Sequence, residues 1–313
     1  MKIFYTDHYV LPLPAGHRFP MAKYSLLRKR VEEAGLDCGE GLREPHAATD
    51  EEILRAHDRV YLECVVNGQL SERQLRRIGF TWTPQMVERS RRSAGATIEA
   101  CRAALAEGVG VNLAGGTHHA FRDRGEGYCV FNDSAIAALA MQAEGRARRV
   151  AILDCDVHQG NGTASILADD ATVFTFSIHA AKNFPFRKEA SDIDIQLPDG
   201  TADADYLDAL EQGICRTLSA AQPDLAIYLA GADPYVGDRL GRLSLTKEGL
   251  QARDRKVFEL CQAASVPVAV AMAGGYSSDI ADTVEIHFST VETAASFWRA
   301  TQRPTSFRAA RQI

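Results

Sequence analysis

Several classes of protein are excluded by what this sequence does without. Its seven cysteines are an odd number and contain no C-x-x-C pair, so a disulfide framework is not expected and a reduced, cytoplasmic setting is. No run approaches the roughly 18 apolar residues of a membrane span, and the opening Met1-Lys2-Ile3-Phe4-Tyr5-Thr6-Asp7-His8 has no long apolar stretch of the secretory kind. An excess of positive charge is missing as well. Lys plus Arg number 35 against 41 for Asp plus Glu, a net charge of −6, which argues against a nucleic-acid footprint spread over the surface and leaves only local contacts with polymers. Internal repeats, low-complexity tracts and linkers rich in Gly, Ser or Pro are absent too, so residues 1–313 are expected to form one domain.

What is present is enough apolar material for a large core, 46% of 313 residues. The first third is loosely patterned. A short strand is expected over Lys2 to Tyr5, then a loop holding Pro12, Pro14 and Gly16 and running through His17-Arg18-Phe19-Pro20-Met21. A helix from Lys23 to Ala34 stops at Gly35. Thr49-Asp50-Glu51-Glu52 has the form of a capping box and should open a helix reaching His57. Thr83-Pro84, with proline in the first turn, should open another to about Glu107.

From residue 109 the pattern becomes regular. Short apolar runs at Val109 to Leu113, Val150 to Leu153, Thr172 to Ile178, Leu225 to Leu229 and Val266 to Met272 alternate with helical stretches at Asn132 to Ala143, Thr163 to Ala168, Ala204 to Ala220, Lys247 to Ala264 and Ser278 to Ala300. That alternation predicts an α/β fold of three αβα layers around a central, mainly parallel sheet. Such sheets bind ligands at the carboxyl ends of their strands, and the polar motifs sit there: Gly115-Gly116-Thr117-His118-His119 after the first run, Asp154 to Asn161 after the second, Gly231-Ala232-Asp233 after the fourth, Gly274-Gly275-Tyr276 after the last.

The central stretch is Asp154-Cys155-Asp156-Val157-His158-Gln159-Gly160-Asn161-Gly162. In extended chain alternate side chains share a face, so Asp154, Asp156 and His158 point one way and Cys155 and Val157 the other. Alone, this pattern fits a turn cap beside a surface histidine equally well; the motifs on the neighbouring strands favour a shared active site. Asp156, His158 and Asp233 would give a zinc ion three ligands and leave a fourth position for water, the pattern of a catalytic site. A metal there would lower the pKa of water and polarise a carbonyl, which suits amide hydrolysis. Of the His118-His119 pair, one would move the proton from water to the leaving amine. Asp154 is placed to orient one histidine and Asn161 the other. Tyr276 is positioned to donate to a developing oxyanion. Gly127 offers its carbonyl to a substrate N–H, with Tyr128 and Phe184 as the two walls of a slot.

These passages, GGTHHAFRDRGEGYCVFND, ILDCDVHQGNGT, AGADPYVGDRLGRLS and AGGY, with HRFPMAKYSLLR near the start, resemble the histone deacetylases of the arginase/deacetylase fold, most of all the class IV type and bacterial histone deacetylase-like amidohydrolases. The resemblance spans most of the chain. It implies that His118 and His119 are the tandem base and acid, that Asp156, His158 and Asp233 bind one zinc, with ferrous iron as the alternative ion, and that Tyr276 polarises the acyl carbonyl while Gly127 takes the substrate amide. It also implies a potassium ion near Asp154 and Ser177. The implied substrate is an acyl-lysine in a protein or peptide, or otherwise an acylated small amine such as an acetylpolyamine; nucleic acid and membrane are not expected partners. Asn161 departs from the commonest pattern, in which a second aspartate stands there. A binuclear manganese ureohydrolase of the same fold would need carboxylates where this chain has Gly160 and Tyr235. A catalytically dead acyl-lysine binder would have lost a ligand or the tyrosine, and all are present.

Overall fold

A computed structural model describes residues 1–14, 16–36 and 41–302; the last residues of the expected domain, 303–313, lie outside the described residues. Seven strands, β1 (Lys2–Phe4), β2 (Val109–Asn112), β3 (Val150–Asp154), β4 (Val173–Ala180), β5 (Ile193–Leu197), β6 (Leu225–Leu229) and β7 (Val268–Ala271), form one sheet in the order β1-β2-β7-β6-β3-β4-β5. Every neighbouring pair is parallel. The helices are α1 (Lys23–Glu33), α2 (Asp50–Leu54), α3 (Arg59–Val66), α4 (Glu72–Ile78), α5 (Pro84–Glu107), α6 (Asp133–Ala143), α7 (Asn161–Leu167), α8 (Asp203–Ala221), α9 (Lys247–Ala263) and α10 (Ile280–Thr301).

The central strands are buried along their whole length, and successive residues serve opposite cores. Val150, Ile152, Leu225 and Ile227 join the cluster under α5 and α6, whereas Ala151, Leu153, Ala226 and Tyr228 join the one under α8, α9 and α10. These are the outer layers of the three-layer arrangement expected from the sequence. The alternation runs past the end of β3, for Cys155 and Val157 continue in the second cluster while Asp154 and Asp156 turn away from it.

Register fixes the site. Asn112 pairs with Ala271, Ala271 with Leu229, Leu229 with Asp154, and Asp154 with Ser177, so β2, β7, β6 and β3 end in one row. The four loops expected to carry the chemistry leave from that row.

Three elements were not expected. β5 is an edge strand whose Asp194 and Gln196 alternate with Ile193, Ile195 and Leu197. Helix α4 has a capping box of its own, Ser71 with Gln74, and ends at Gly79 in the left-handed region. Helix α2 does open with the Thr49 and Glu52 capping box, but it stops at Leu54 rather than His57, and α3 begins after Asp58, whose extended backbone breaks the two apart. The cysteines among the described residues are free thiols, and no described helix is long and apolar enough to cross a membrane.

Candidate active site

The turn after β3 is knitted by its own carboxylates. The Asp156 N–H donates to Asp154 Oδ1 at 3.1 Å and the His158 N–H to Asp156 Oδ1 at 2.9 Å. Across to the neighbouring loops, the Val157 N–H donates to Asp233 Oδ1 at 2.9 Å, and the Gly274 N–H donates back to Asp156 Oδ2 at 2.8 Å. Gly274 has to be glycine, since a Cβ there would stand 2.0 Å from Asp233 Oδ2 and 2.5 Å from Asp156 Oδ2. Asp156, His158 and Asp233 each offer one ligand atom, all within 4.8 Å of one another. His158 Nδ1 lies 2.9 Å from Asp156 Oδ1 and 3.3 Å from Asp233 Oδ2.

These residues fit a divalent cation. Asp233 is fully buried, and its Oδ2 has only the 3.3 Å contact with His158 Nδ1 and no hydrogen bond of good geometry, which leaves it open to an ion. The local charge points the same way. Burial would lower the pKa of His158, but Asp156 and Asp233 outweigh it and push it up to about 10. Burial and the Asp156 charge raise Asp233 to about 7. The cluster thus holds protons it would surrender to a metal.

The two histidines after β2 are held differently. His118 Nδ1 lies 2.6 Å from Asp154 Oδ2, and His119 Nδ1 lies 2.7 Å from Asn161 Oδ1, so each of the two residues expected to orient a histidine holds one. Both rings are buried, with centroids 4.1 Å apart. Burial would lower His118, but the Asp154 and Asp156 charges reverse it and push it up to about 9. His119 falls well below the usual imidazole value through burial and the charges of His118 and His158; the Asn161 amide opposes this too weakly to matter. The two adjacent imidazoles thus sit in opposite settings, one favouring its charged form and the other its neutral form.

Tyr276 closes the site from the β7 side. Burial and the Asp156 and Asp233 carboxylates raise its pKa well above the usual phenol value, so it keeps its proton. Its backbone is braced by residues to which the sequence reading gave no role. Asp238 accepts the Tyr276 N–H at 2.5 Å, and the Arg239 guanidinium donates to the Tyr276 carbonyl at 2.9 Å. The buried Lys23 ammonium donates to the Ala273 carbonyl at 3.2 Å. Asp133 likewise fixes the histidine loop by accepting the Gly116 and Thr117 N–H groups at 3.0 and 2.7 Å. Asp133 and Asp238 stand inside the motifs quoted above, and that adjacency was the available signal.

A cavity of about 960 Å³ leads to these groups. Tyr128 and Phe184 both line it, Tyr128 packed on Phe19 and Phe80 with centroids at 5.3 and 5.5 Å, Phe184 edge-on to His119 at 4.8 Å. Gly127 immediately precedes Tyr128 and packs close to His119 and Phe184: its φ is +55°, and a Cβ would meet His119 Cδ2 at 2.6 Å and Phe184 Cε1 at 3.3 Å. The Gly127 carbonyl has the Cys129 Sγ at 3.4 Å, a weak donor. Ser177, opposite Asp154 in the β3–β4 ladder, is buried, and its Oγ lies 2.9 Å from His179 Nδ1.

A parallel sheet whose aligned strand ends gather an Asp-His-Asp cluster, two histidines and a tyrosine is the arginase/deacetylase fold. Solved structures agree: an HDAC homologue complexed with SAHA matches with a TM-score of 0.80 at 24% identity over 94% of this chain and 84% of that one, and an HDAC homologue from Aquifex aeolicus with a TM-score of 0.80 at 23% identity over 94% and 83%. Residues 17–291 match the histone deacetylase domain, and the chain belongs to the histone deacetylase family. It is 44% identical over 285 residues to an uncharacterised protein of Picosynechococcus sp., covering 91% of this chain and 95% of that one. It is 31% identical to the histone deacetylase-like amidohydrolase of Pseudomonas aeruginosa, covering 85% and 74%, and 29% identical to histone deacetylase 2 of Arabidopsis thaliana, covering 91% and 78%.

Proposed function

We propose that this chain is a zinc-dependent amidohydrolase that removes acetyl or longer acyl groups from the side-chain amine of lysine. The observation that carries the proposal is the unequal histidine pair set against the Asp156, His158 and Asp233 cluster at the floor of an aromatic-walled cavity. Asp156, His158 and Asp233 would hold the ion. A bound zinc supplies Lewis acidity, polarising the acyl carbonyl and making water easier to deprotonate.

The remaining roles belong to the protein. His119, neutral and buried, takes the proton from the attacking water and returns it to the departing amine. His118, charged through Asp154, sets a positive field beside the carbonyl oxygen as negative charge grows there. Tyr276, still a phenol, donates to that oxygen. Gly127 takes the substrate N–H on its carbonyl, and Tyr128 and Phe184 flank the extended alkyl chain and exclude water from it. A potassium ion near Asp154 and Ser177 would belong to the same assignment, as would ferrous iron used in place of zinc. Among the described residues Asp156, His158 and Asp233 form the one such cluster found, which supports a single ion over a binuclear centre.

The test is hydrolysis of acetyl-lysine, longer acyl-lysine and acetylpolyamine substrates, with metal analysis of the same sample. Turnover of an acyl-lysine with one zinc per chain is expected. A fully loaded protein that hydrolyses none of these amides would defeat the proposal.

A further inference from the structure

The chain is acidic overall, at −6, yet its cavity opens through a ring of cations. Arg18, Arg73, Arg77, Lys182 and Arg239 all line the cavity, and all are exposed. None is ion-paired among the described residues, in contrast to the neighbouring Arg76 and Arg242, which line the same mouth and are paired with Glu72 and Asp199 at 3.1 Å each. The ring is assembled from separate segments: the loop before α1, helix α4, the loop after β4 and the loop that follows Asp233. Opposing charge is scarce. The acidic residues lining the cavity are Asp156 and Asp233 at the floor and the half-buried Glu126. The exposed charge around the mouth is therefore predominantly positive.

A substrate that sends its acylated amine to the floor must leave whatever flanks that amine at the mouth, within reach of the ring at the Debye length of about 8 Å in physiological salt. One exposed ion pair contributes little. Several cations of one sign converging on one opening add up, steer the approach of an anion and repel a cation, and guanidinium groups match carboxylates in a planar, two-point fashion.

We propose that the preferred substrates are acyl-lysines set among aspartates and glutamates, in acidic segments of proteins, with the ring holding the flanking carboxylates while the acyl group reaches the floor. This rests on the deacylase proposal and narrows it, because a free polyamine or a lysine-rich tail meets like charge at the entrance.

The test compares acetyl-lysine peptides of one length with acidic, neutral or basic flanks, beside a small uncharged acetyl-lysine amide, on the zinc-loaded full-length protein. The acidic peptide should exceed the basic one in kcat/KM by about 10-fold at low salt, the ratio shrinking several-fold toward roughly 0.5 M salt. Arg73→Glu combined with Lys182→Glu should bring the ratio toward one while turnover of the uncharged amide stays unchanged. Fluorescence anisotropy of labelled peptides should give the same ranking for binding. If no peptide is hydrolysed but the acidic one still binds preferentially and loses that preference in the double variant, the ring keeps its role and the deacylase proposal fails alone. Equal binding and turnover across all flanks would overturn the inference, and so would an acidic preference that survives the charge reversals. Tighter binding of a single-stranded oligonucleotide than of an acidic peptide of matched charge, through the same residues, would make the ring a nucleic-acid surface and overturn it too.

Discussion

The floor and the mouth of the cavity are built by opposite means. At the floor, buried carboxylates and imidazoles hang from strand ends that the sheet holds in register, and Asp156 and Asp233 accept N–H groups from neighbouring loops. At the mouth, exposed cations stand on loops and on the short helix α4, mostly without partners. Burial makes each group at the floor indispensable, because a low dielectric magnifies whatever is left uncompensated. Exposure makes each group at the mouth weak alone and effective only in sum. Chemistry and selection should therefore come apart under mutation.

The largest effect is expected from Asp233→Ala. Loss of an outer hydrogen-bonding partner already lowers metal affinity roughly 10–100-fold, so removing a ligand should exceed that and abolish hydrolysis with it; zinc titration against a competing chelator measures the first and an amide assay the second. Full metal content and activity in this variant would erase the distinction between floor and mouth. Next comes Tyr276→Phe, which should lower kcat by roughly 10²–10³-fold, as loss of one oxyanion donor does, while binding of an unreactive substrate analogue changes far less. The reverse pattern would move Tyr276 from the floor to the walls.

A third expectation concerns protons. With His158 at about 10 and Asp233 at about 7, the ion-free cluster is protonated at pH 6 and must shed protons to bind metal, so apparent zinc affinity should rise by about tenfold per pH unit for each proton displaced. A flat profile between pH 6 and 8 would mean the ligands are already deprotonated. The fourth is Asn161→Asp. A carboxylate on His119 Nδ1 stabilises imidazolium and so raises its pKa. Because the base must be neutral, the acidic limb of kcat/KM should move upward, by roughly one pH unit or more. A limb that stays put or moves down, with zinc content unchanged, would deny the Asn161 to His119 pairing its role. The smallest effect is expected at the mouth, where Arg73→Glu alone should alter kcat/KM for an uncharged amide less than about twofold.

The floor was legible in the sequence for a physical reason. Strands buried on both faces read as unbroken apolar runs, and in a parallel sheet their carboxyl ends lie on one edge, so GGTHH, DCDVH, GAD and GGY had to converge once the runs were recognised. The order of strands was not legible, because register and neighbour choice depend on contacts between distant residues. Helix α4 was missed although Ser71-x-x-Gln74 announced it, and β5 was missed because Asp194 and Gln196 interrupt the apolar pattern of this edge strand. The cation ring was invisible for a third reason. A net charge of −6 averages over the surface, and nothing in the chain order reveals that Arg18, Arg73, Lys182 and Arg239 share one opening.

The strand made last does not sit at an edge. β7 wedges between β2 and β6, and it brings the Gly274 N–H and Tyr276 with it. During synthesis, a chain that has reached β6 carries most of the sheet but has two strands waiting with unsatisfied ladders. Until Gly274 and Tyr276 leave the ribosome, Asp156 lacks the N–H that frames it and the phenol proposed as oxyanion donor is missing. On the proposed roles, closing the sheet and completing the site are one event, so chains that end before Tyr276 should be silent.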